Sequence, residues 1–368
     1  MQLKDLYLYQ FKNMEEAEIS FSPAMNFLCG ANGTGKTNIL DSINYLSLTK
    51  SFVNNIDTDN IQNGKNYFHI RGKYNMHQSI EEYSCLVKKE EHKHFKHFQK
   101  EYPRLSAHIG TIPLVSISPL DHYIITDGSD VRRKLMDTTI SQFDKNYLGH
   151  LIRYNKLLKQ RNALLKNDSV KSDSEKRDML DIFDEQLETP AQYIFELRKE
   201  FMEHIIPYFN SNYRELSQKE EENIQLSYQS QLTEKSMAVL LQENKNKDII
   251  SETTTSGIHK DDILFFLNQK PIRYFASQGQ QKTYLTALKL SIMQYMENKT
   301  HISPILLLDD IFDKLDEQRV LNLLVHISKL SSQVFITDTN YDRIKKISEN
   351  LSCEYSIFEV MNGNCFIK

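Results

Sequence analysis

Cysteine is scarce and scattered in this chain. Cys29, Cys85, Cys353 and Cys365 lie far apart, with no C-x-x-C pair. That usage reads as a reduced cytosolic chain rather than a disulfide-stapled one. No apolar run approaches the ~20 residues that a membrane span requires. Met1 to Phe11 holds no basic segment followed by an apolar core, so no signal peptide is expected. An excess of positive charge is missing too, because 45 Lys and Arg stand against 49 Asp and Glu and leave a net charge of -4. The whole molecule is therefore no electrostatic magnet for nucleic acid, and any such binding must come from local patches. These absences leave a soluble, cytoplasmic chain without a membrane partner as the expectation. Its 368 residues are long enough for two or three domains. The mean hydropathy of -0.52 suits elongated or helical parts with much exposed surface.

One stretch organises what is there: Gly30-Ala31-Asn32-Gly33-Thr34-Gly35-Lys36-Thr37, followed by Asn38. It meets every fixed position of G-x-x-x-x-G-K-[ST], and its flanks agree. Met25 to Cys29 is a short apolar run of strand character, and Ile39, Leu40, Ile43 and Leu46 fall at helical spacing. Glycine lets the backbone bring its N–H groups close to phosphate oxygens, while the helix start aims its positive dipole end at the same anion. Lys36 is placed for the β- and γ-phosphates, and the Thr37 hydroxyl for Mg²⁺. The expected ligand is a nucleoside triphosphate.

Leu3, Leu6, Leu8 and Phe11 begin an apolar strand and Ala17 to Phe21 alternates as a second, so a sheet surrounds this loop from the first residues. Tyr67 to Tyr74 and Glu82 to Lys88 read as strands of an antiparallel lobe. Lys88 to Lys100, KKEEHKHFKHFQK, is dense in cations. The pattern of His92, His94 and His97 comes without a carboxylate or cysteine partner, so the run is read as a solvated basic hairpin tip rather than a metal site. Its Phe95 and Phe98 suit nucleic-acid contact, with Lys93 and Lys96 as phosphate contacts. Leu114 to Ile117 is another buried strand, and Gly128 to Lys134 opens a helix that Asp130 is placed to cap.

From Asp144 the pattern is helical. Tyr147, Leu151, Tyr154, Leu158, Arg161 and Leu165 alternate at spacings close to a coiled-coil seam. Lys145 to Lys166 contains no acidic residue, and Asp173 to Glu188 then reverses the sign. Pro190 is expected to kink or separate the helical stripe that continues through Ile194, Leu197, Phe201 and Ile205. This middle region reads as a helical arm inserted into a sheet-based domain, giving an expected division at 1–118, 119–250 and 251–368. Lys156, Lys159 and Arg161 on the arm, with Arg132 and Arg133, are its DNA-contact candidates.

In the last third Ser277 and Gln280 make a capping box at the start of a helix carrying Tyr284, Leu285, Leu288 and Ile292. With Gly279 beside them, that helix start is also an anion site. Ile305 to Leu308 followed by Asp309-Asp310 is a buried strand ending in two carboxylates. Asp309 is placed to hold the water shell of Mg²⁺, and Asp310 to polarise the attacking water or accept its proton. The pattern runs on through Asp313 and Leu315-Asp316, and Gln333 to Thr337 is one more core strand, ended by Asp338.

A P-loop, an S-x-G-Q helix start and DD-x-x-x-x-LD in this order resemble the ATP-binding-cassette class of ATPase. The resemblance implies an α/β fold: an ABC-type P-loop ATPase head, a mixed sheet with helices, carrying an inserted helical arm domain. It also implies that Ser277, Gly279 and Gln280 of one subunit act on ATP held by the P-loop of another. A helical insertion between the two motifs points away from a transporter subunit and towards SMC-like DNA-repair heads.

Similarity to the RecF family of bacterial recombination mediators goes further and covers nearly the whole chain. It rests on Phe11-Lys12-Asn13, Gly30 to Asn38, Ser118-Pro119, Gly128-Ser129 with Arg132-Arg133, Lys159-Gln160-Arg161-Asn162-Ala163-Leu164-Leu165, His259-Lys260-Asp261-Asp262 and Ser277 to Lys282. The likeness adds Lys12 and Asn13 to the nucleotide-binding residues. The sequence departs from the pattern where Lys12 replaces the usual arginine and Ile258 a common proline. Asp310 stands where most cassette ATPases have glutamate, and Asp338 where transporters place a switch histidine. The implied function is that of a weak ATPase, with ATP and Mg²⁺, that dimerises on ATP and binds duplex DNA near single-strand gaps. Proteins of the RecO and RecR type and a recombinase are the implied partners. The alternative is another SMC-like repair head, nuclease-coupled ones included, or a non-DNA regulatory ATPase of the cassette class. A nuclease would need a further cluster of metal-binding carboxylates, which is not expected after Asp338.

Overall fold

Alternation in the first residues sets the first sheet. In the computed structural model, β1 (Gln2–Phe11) turns Leu6 and Leu8 inward and Tyr7 and Tyr9 outward. Residues 1–76, 79–167, 173–219, 221–312, 317–349, 351 and 353–368 are described; Asp313, Leu315 and Asp316 lie outside them. β2 (Met14–Ser20) pairs antiparallel with one edge of β1, and β4 (Tyr67–Met76) with the other. β5 (Ser79–Lys88), β6 (His94–His97) and β7 (Lys100–Glu101) extend that antiparallel sheet in the order β2-β1-β4-β5-β6-β7. Between these strands in sequence come β3 (Met25–Cys29) and α1 (Lys36–Leu48), and β8 (Leu114–Ile117) follows.

The chain divides into two compact units. The first consists of Met1–Asp121, Ser211–Gln218 and Lys282–Lys368, the second of His122–Asn210 and Lys219–Gln281. The second unit thus runs beyond the expected boundary at 250. The physical reason is strand pairing: β9 (Ile224–Gln229) finds its antiparallel partner in β10 (Asp262–Leu267), and β11 (Lys270–Pro271) completes the sheet. The helices before β9 are α2 (His122–Thr126), α3 (Ser129–Ile140), α4 (Lys145–Leu165) and α5 (Asp173–Ser217). α6 (Met237–Ser251) and the short α7 (Ile272–Phe275) complete the second unit.

Two local expectations change here. α5 continues through Pro190 without a break, where Leu187, Ala191 and Ile194 are fully buried and packing holds the helix across the missing N–H. Asp130 does not cap α3, whose N-cap is Gly128 without a side-chain bond, because Asp130 already lies inside the first turn. Along α4 the buried residues are Tyr147, Tyr154, Leu157, Arg161 and Leu165.

The return to the first unit follows α8 (Gln278–Thr300), then β12 (Ile305–Leu308), α9 (Glu317–Ser328), β13 (Val334–Asp338), α10 (Tyr341–Ser348), β14 (Tyr355–Met361) and β15 (Asn364–Ile367). The second large sheet has the order β15-β14-β3-β13-β12-β8. It is parallel from β14 to β8, with β15 antiparallel at its edge. β3, β12 and β13 are buried along their whole length, which is why they read as mostly apolar runs, unbroken in β12 and interrupted only by Asn26 in β3 and by the terminal Thr337-Asp338 in β13.

Leu28, Leu307, Phe335 and Phe358 of this sheet join Leu6, Leu8 and Phe68 of the antiparallel one and Ile39, Ile43 and Leu46 of α1 in one apolar core. α1 is buried even at Asp41, Ser42 and Ser47. Each of these finds a partner: Asp41 accepts from Lys12, Ser51 and the Phe52 N–H, Ser42 donates to the Ile39 carbonyl, and Ser47 donates to the Ile112 carbonyl. No helix of the described residues is long and apolar enough to cross a membrane.

Candidate nucleotide-binding site

β3 ends at Cys29 and α1 begins at Lys36, so the glycine loop spans the carboxyl end of a central parallel strand and the start of a helix. α1 has Gly35 as N-cap with no side-chain bond to its first N–H groups, which leaves that helix start aimed into the loop. Gly35 has φ +117, and a Cβ there would stand 2.9 Å from Asn13 Oδ1, so both backbone and space require glycine. Lys36 Nζ donates to the carbonyls of Gly30 and Ala31 at 2.7 Å each, which curls the loop around the ammonium. Burial pulls the Lys36 pKa below the ordinary lysine value, while Asp310, Asp309 and Asp338 oppose that shift.

The second half of the site comes from the neighbouring strands. The Thr37 hydroxyl lies 2.9 and 3.0 Å from the two carboxylate oxygens of Asp309. Thr337, at the end of β13, donates to Asp309 Oδ1 at 2.8 Å and accepts the Asp310 N–H at 2.8 Å. Burial raises the Asp309 pKa, against hydrogen bonds from Thr337 and Thr37 that lower it. Asp310 is exposed and takes φ +48, a left-handed backbone conformation that turns it away from the strand line. Asp338 is buried and held by Arg343, whose Nη2 lies 2.6 Å from its Oδ2. An uncapped helix start, a lysine ringed by loop carbonyls and a hydroxyl–carboxylate pair fit a triphosphate with its magnesium.

Two elements clamp the loop. Asn13, in the β1–β2 turn, donates to the Thr34 carbonyl at 3.1 Å and accepts from Asn38 at 2.7 Å. Lys12, at φ +55, pairs with Asp41 of α1 at 2.6 Å, anchoring that turn beneath the loop. From the other side the β14–β15 turn places Gly363 so that its N–H donates to the Thr34 carbonyl at 3.0 Å. A Cβ on Gly363 would meet the Asn13 carbonyl oxygen at 2.4 Å. Family likeness points to Lys12 and Asn13 as nucleotide-binding residues, and the structure places Asn13 against the loop and Lys12 on Asp41. The contact of Gly363 goes unread, although Asn362-Gly363 between two alternating runs is a hairpin signal.

The signature residues belong to the second unit. Ser277 and Gln280 form the expected capping box: the Ser277 N–H donates to Gln280 Oε1 at 2.8 Å, and the Gln280 N–H to Ser277 Oγ at 3.2 Å. Gln280 Nε2 also donates to Glu222 at 2.9 Å, which fixes the amide. Ser277 itself is exposed.

The cationic candidates separate sharply. Arg161 cannot contact DNA: its side chain is 0% exposed, bonded to Asp184 at 2.7 Å and Asp248 at 2.8 Å. Lys93 is likewise taken inward, donating to the Thr49 carbonyl at 2.6 Å and Asp57 at 2.7 Å. Phe95 is buried core rather than a contact surface. Arg132 forms a fork with Asp262 at 2.6 and 3.0 Å, and Arg133 bonds Ser129 and the Asp261 carbonyl. The motif residues Arg132, Arg133, Arg161, Asp261 and Asp262 therefore brace the second unit. Lys156 and Lys159 are exposed on α4, with Lys145, Arg153 and Lys166 on the same helix or at its end. Lys96 lines a groove on the outer face of the antiparallel sheet with Tyr7, Tyr9, His69 and Phe98.

The pattern of the AAA ATPase domain matches residues 1–359 of the chain. A protein of Flavobacterium johnsoniae called DNA replication and repair protein RecF is 44% identical over 98% of this chain and 100% of its own length. The protein of the same name from Phocaeicola vulgatus is 43% identical over 99% and 97%. Among solved structures, the recombination mediator protein RecF with bound ATP, of the RecFOR pathway, superposes with a TM-score of 0.87 at 28% identity, covering 100% of this chain and 97% of that one. An Smc head domain from Pyrococcus furiosus shares the fold at a TM-score of 0.59 and 17% identity, over 100% and 96%.

Proposed function

The chain belongs to the RecF family of DNA replication and repair proteins, and we propose that it works as an ATP-switched clamp on duplex DNA beside single-strand gaps. The observation that carries this reading is the meeting of Thr37 and Asp309 at 2.9 Å, which joins P-loop and second carboxylate motif in one site. Lys36, Thr37 and Asp309 would hold the nucleotide and its Mg²⁺, with Asn13 and Lys12 keeping the loop in shape. The bound ion supplies charge neutralisation at the phosphates. Lys36 exchanges its loop carbonyls for phosphate oxygens, a gain in charge pairing that its burial strengthens. Asp310, exposed and one residue beyond Asp309, orients a water and takes its proton. Aspartate is one methylene shorter than glutamate, and hydrolysis is correspondingly slow.

Ser277 and Gly279 are exposed or half-exposed at a helix start that can receive a phosphate from a second copy of the chain. Two such sites form only in a dimer, so ATP is the dimerising ligand. Two arms then reach one duplex, and Lys156 and Lys159 supply phosphate contacts that carry no sequence information. The clamp thereby helps mediator partners of the RecO and RecR type to load recombinase. The test is duplex binding at several salt concentrations with and without ATP, for the wild type and Lys36→Ala. ATP should tighten binding by the wild type alone. Equal affinity in all four states would remove the switch.

A further inference from the structure

We propose that His92, His94 and Glu101 hold a divalent transition-metal ion at the tip of the β5–β6 hairpin. The two imidazoles stand two residues apart at the entry to β6. β7 folds back antiparallel with Glu101 opposite Lys96, which carries the Glu101 carboxylate to them. His94 Nδ1 lies 3.0 Å and His92 Nε2 3.9 Å from Glu101 Oε1, and the three ligand atoms all fall within 4.8 Å of one another. A tetrahedral ion with bonds of about 2.0–2.2 Å needs ligand atoms about 3.5 Å apart. Side-chain adjustments alone therefore close the site.

A second carboxylate stands near His94. The other ring nitrogen of His94, Nε2, faces Glu91 Oε2 at 3.9 Å, and Glu91 lies 3.3 Å from Lys88 Nζ. At 3.9 Å that carboxylate stands outside hydrogen-bond range, and a rotamer change of Glu91 would bring it to accept the His94 Nε2–H and fix its tautomer. The His92 and His94 rings already touch, with centroids 4.2 Å apart. His97, the third histidine of the run, is excluded from the set. It pairs with Glu81 at 2.5 Å and stacks on Tyr83 at 4.7 Å. Two imidazole nitrogens and one carboxylate select Zn²⁺, Co²⁺ or Ni²⁺ over Mg²⁺ and Ca²⁺, which prefer oxygen. Three protein ligands leave the fourth position to water or to a donor from outside. The bound ion would pin residues 89–93 to β7.

The test is Zn²⁺ titrated calorimetrically into the full chain in excess Mg²⁺, which fills any hard-oxygen site, with Co²⁺ as the spectroscopic probe. One ion per chain is expected, and the Co²⁺ spectrum should lack a thiolate charge-transfer band. His92→Ala and Glu101→Gln should each weaken binding at least tenfold, while His97→Ala leaves it unchanged. The His92 side chain is 79% exposed, so its truncation leaves the fold intact, which an unaltered metal-free melting temperature verifies. No uptake of micromolar Zn²⁺ by the wild type would overturn the proposal. So would wild-type affinity in His92→Ala and Glu101→Gln, or an equal loss in His97→Ala.

Discussion

The Thr37 hydroxyl and the Asp309 carboxylate, 272 residues apart in the chain, meet at 2.9 Å because β3 and β12 both flank β13 in the parallel sheet. Burial raises the Asp309 pKa, so its charge costs stability once the pH exceeds the pKa of the unfolded chain. Asp309→Asn should therefore leave the nucleotide-free melting temperature at neutral pH unchanged or higher. The same change should lower Mg²⁺-dependent hydrolysis by at least about a hundredfold. A melting temperature that falls together with activity would make Asp309 a structural residue instead.

Arg161 should behave as a buried brace. Removing one partner of a buried pair leaves Asp184 and Asp248 uncompensated, and Arg161→Ala should cost about 3–5 kcal/mol of stability in denaturant titration. Arg161→Lys should recover only part of it, since a point charge cannot serve both carboxylates and Thr254 as the fork does. A variant as stable as the wild type would contradict the brace.

His259 sets a pH dependence. Its Nδ1 faces the Tyr154 hydroxyl at 2.8 Å and its Nε2 the Thr254 carbonyl at 3.0 Å, and burial pushes its pKa down to about 4. A histidine held neutral in the fold binds its proton first in the unfolded chain. Its contribution is thus complete above the unfolded pKa near 6.5 and is lost as pH falls towards 4. Relative to His259→Gln, the wild type should lose up to about 3 kcal/mol across that window. Parallel stability curves from pH 7 to 4 would refute this.

Legibility followed locality. The P-loop, the capping box at Ser277 and the two carboxylates after β12 are runs of neighbouring residues whose chemistry needs only the local backbone, and all were readable. The charges misled where their partners lie far away. Arg161 falls on the seam of α4 yet reads as a DNA-contact cation until Asp184 and Asp248 arrive from α5 and α6. Lys93 does too, until α1 and the segment after it bring Tyr45, Thr49 and Asp57. The contact of Gly363 with Thr34 joins segments far apart in the chain, which no window of sequence contains. Glu101, by contrast, lies close to His94 in sequence, and only the β6–β7 pairing reveals that their side chains meet.

The exposed cationic face of α4 is narrower than the sequence suggested, because Arg161 is buried, so the informative change is Lys156→Ala with Lys159→Ala. Duplex affinity should fall, and the slope of log affinity against log salt should become shallower by about 0.9 for each phosphate no longer neutralised. ATP binding should stay as in the wild type. An unchanged slope would move the DNA off this helix.

The central claim is that ATP joins two copies of the chain through the helix start at Ser277, and sedimentation of the Asp310→Asn variant tests it most directly. With hydrolysis slowed, ATP should convert the protein from monomer to dimer, and adding Ser277→Arg should hold it as monomer with ATP binding intact. A dimer that forms without ATP, or one that survives Ser277→Arg, would contradict the account.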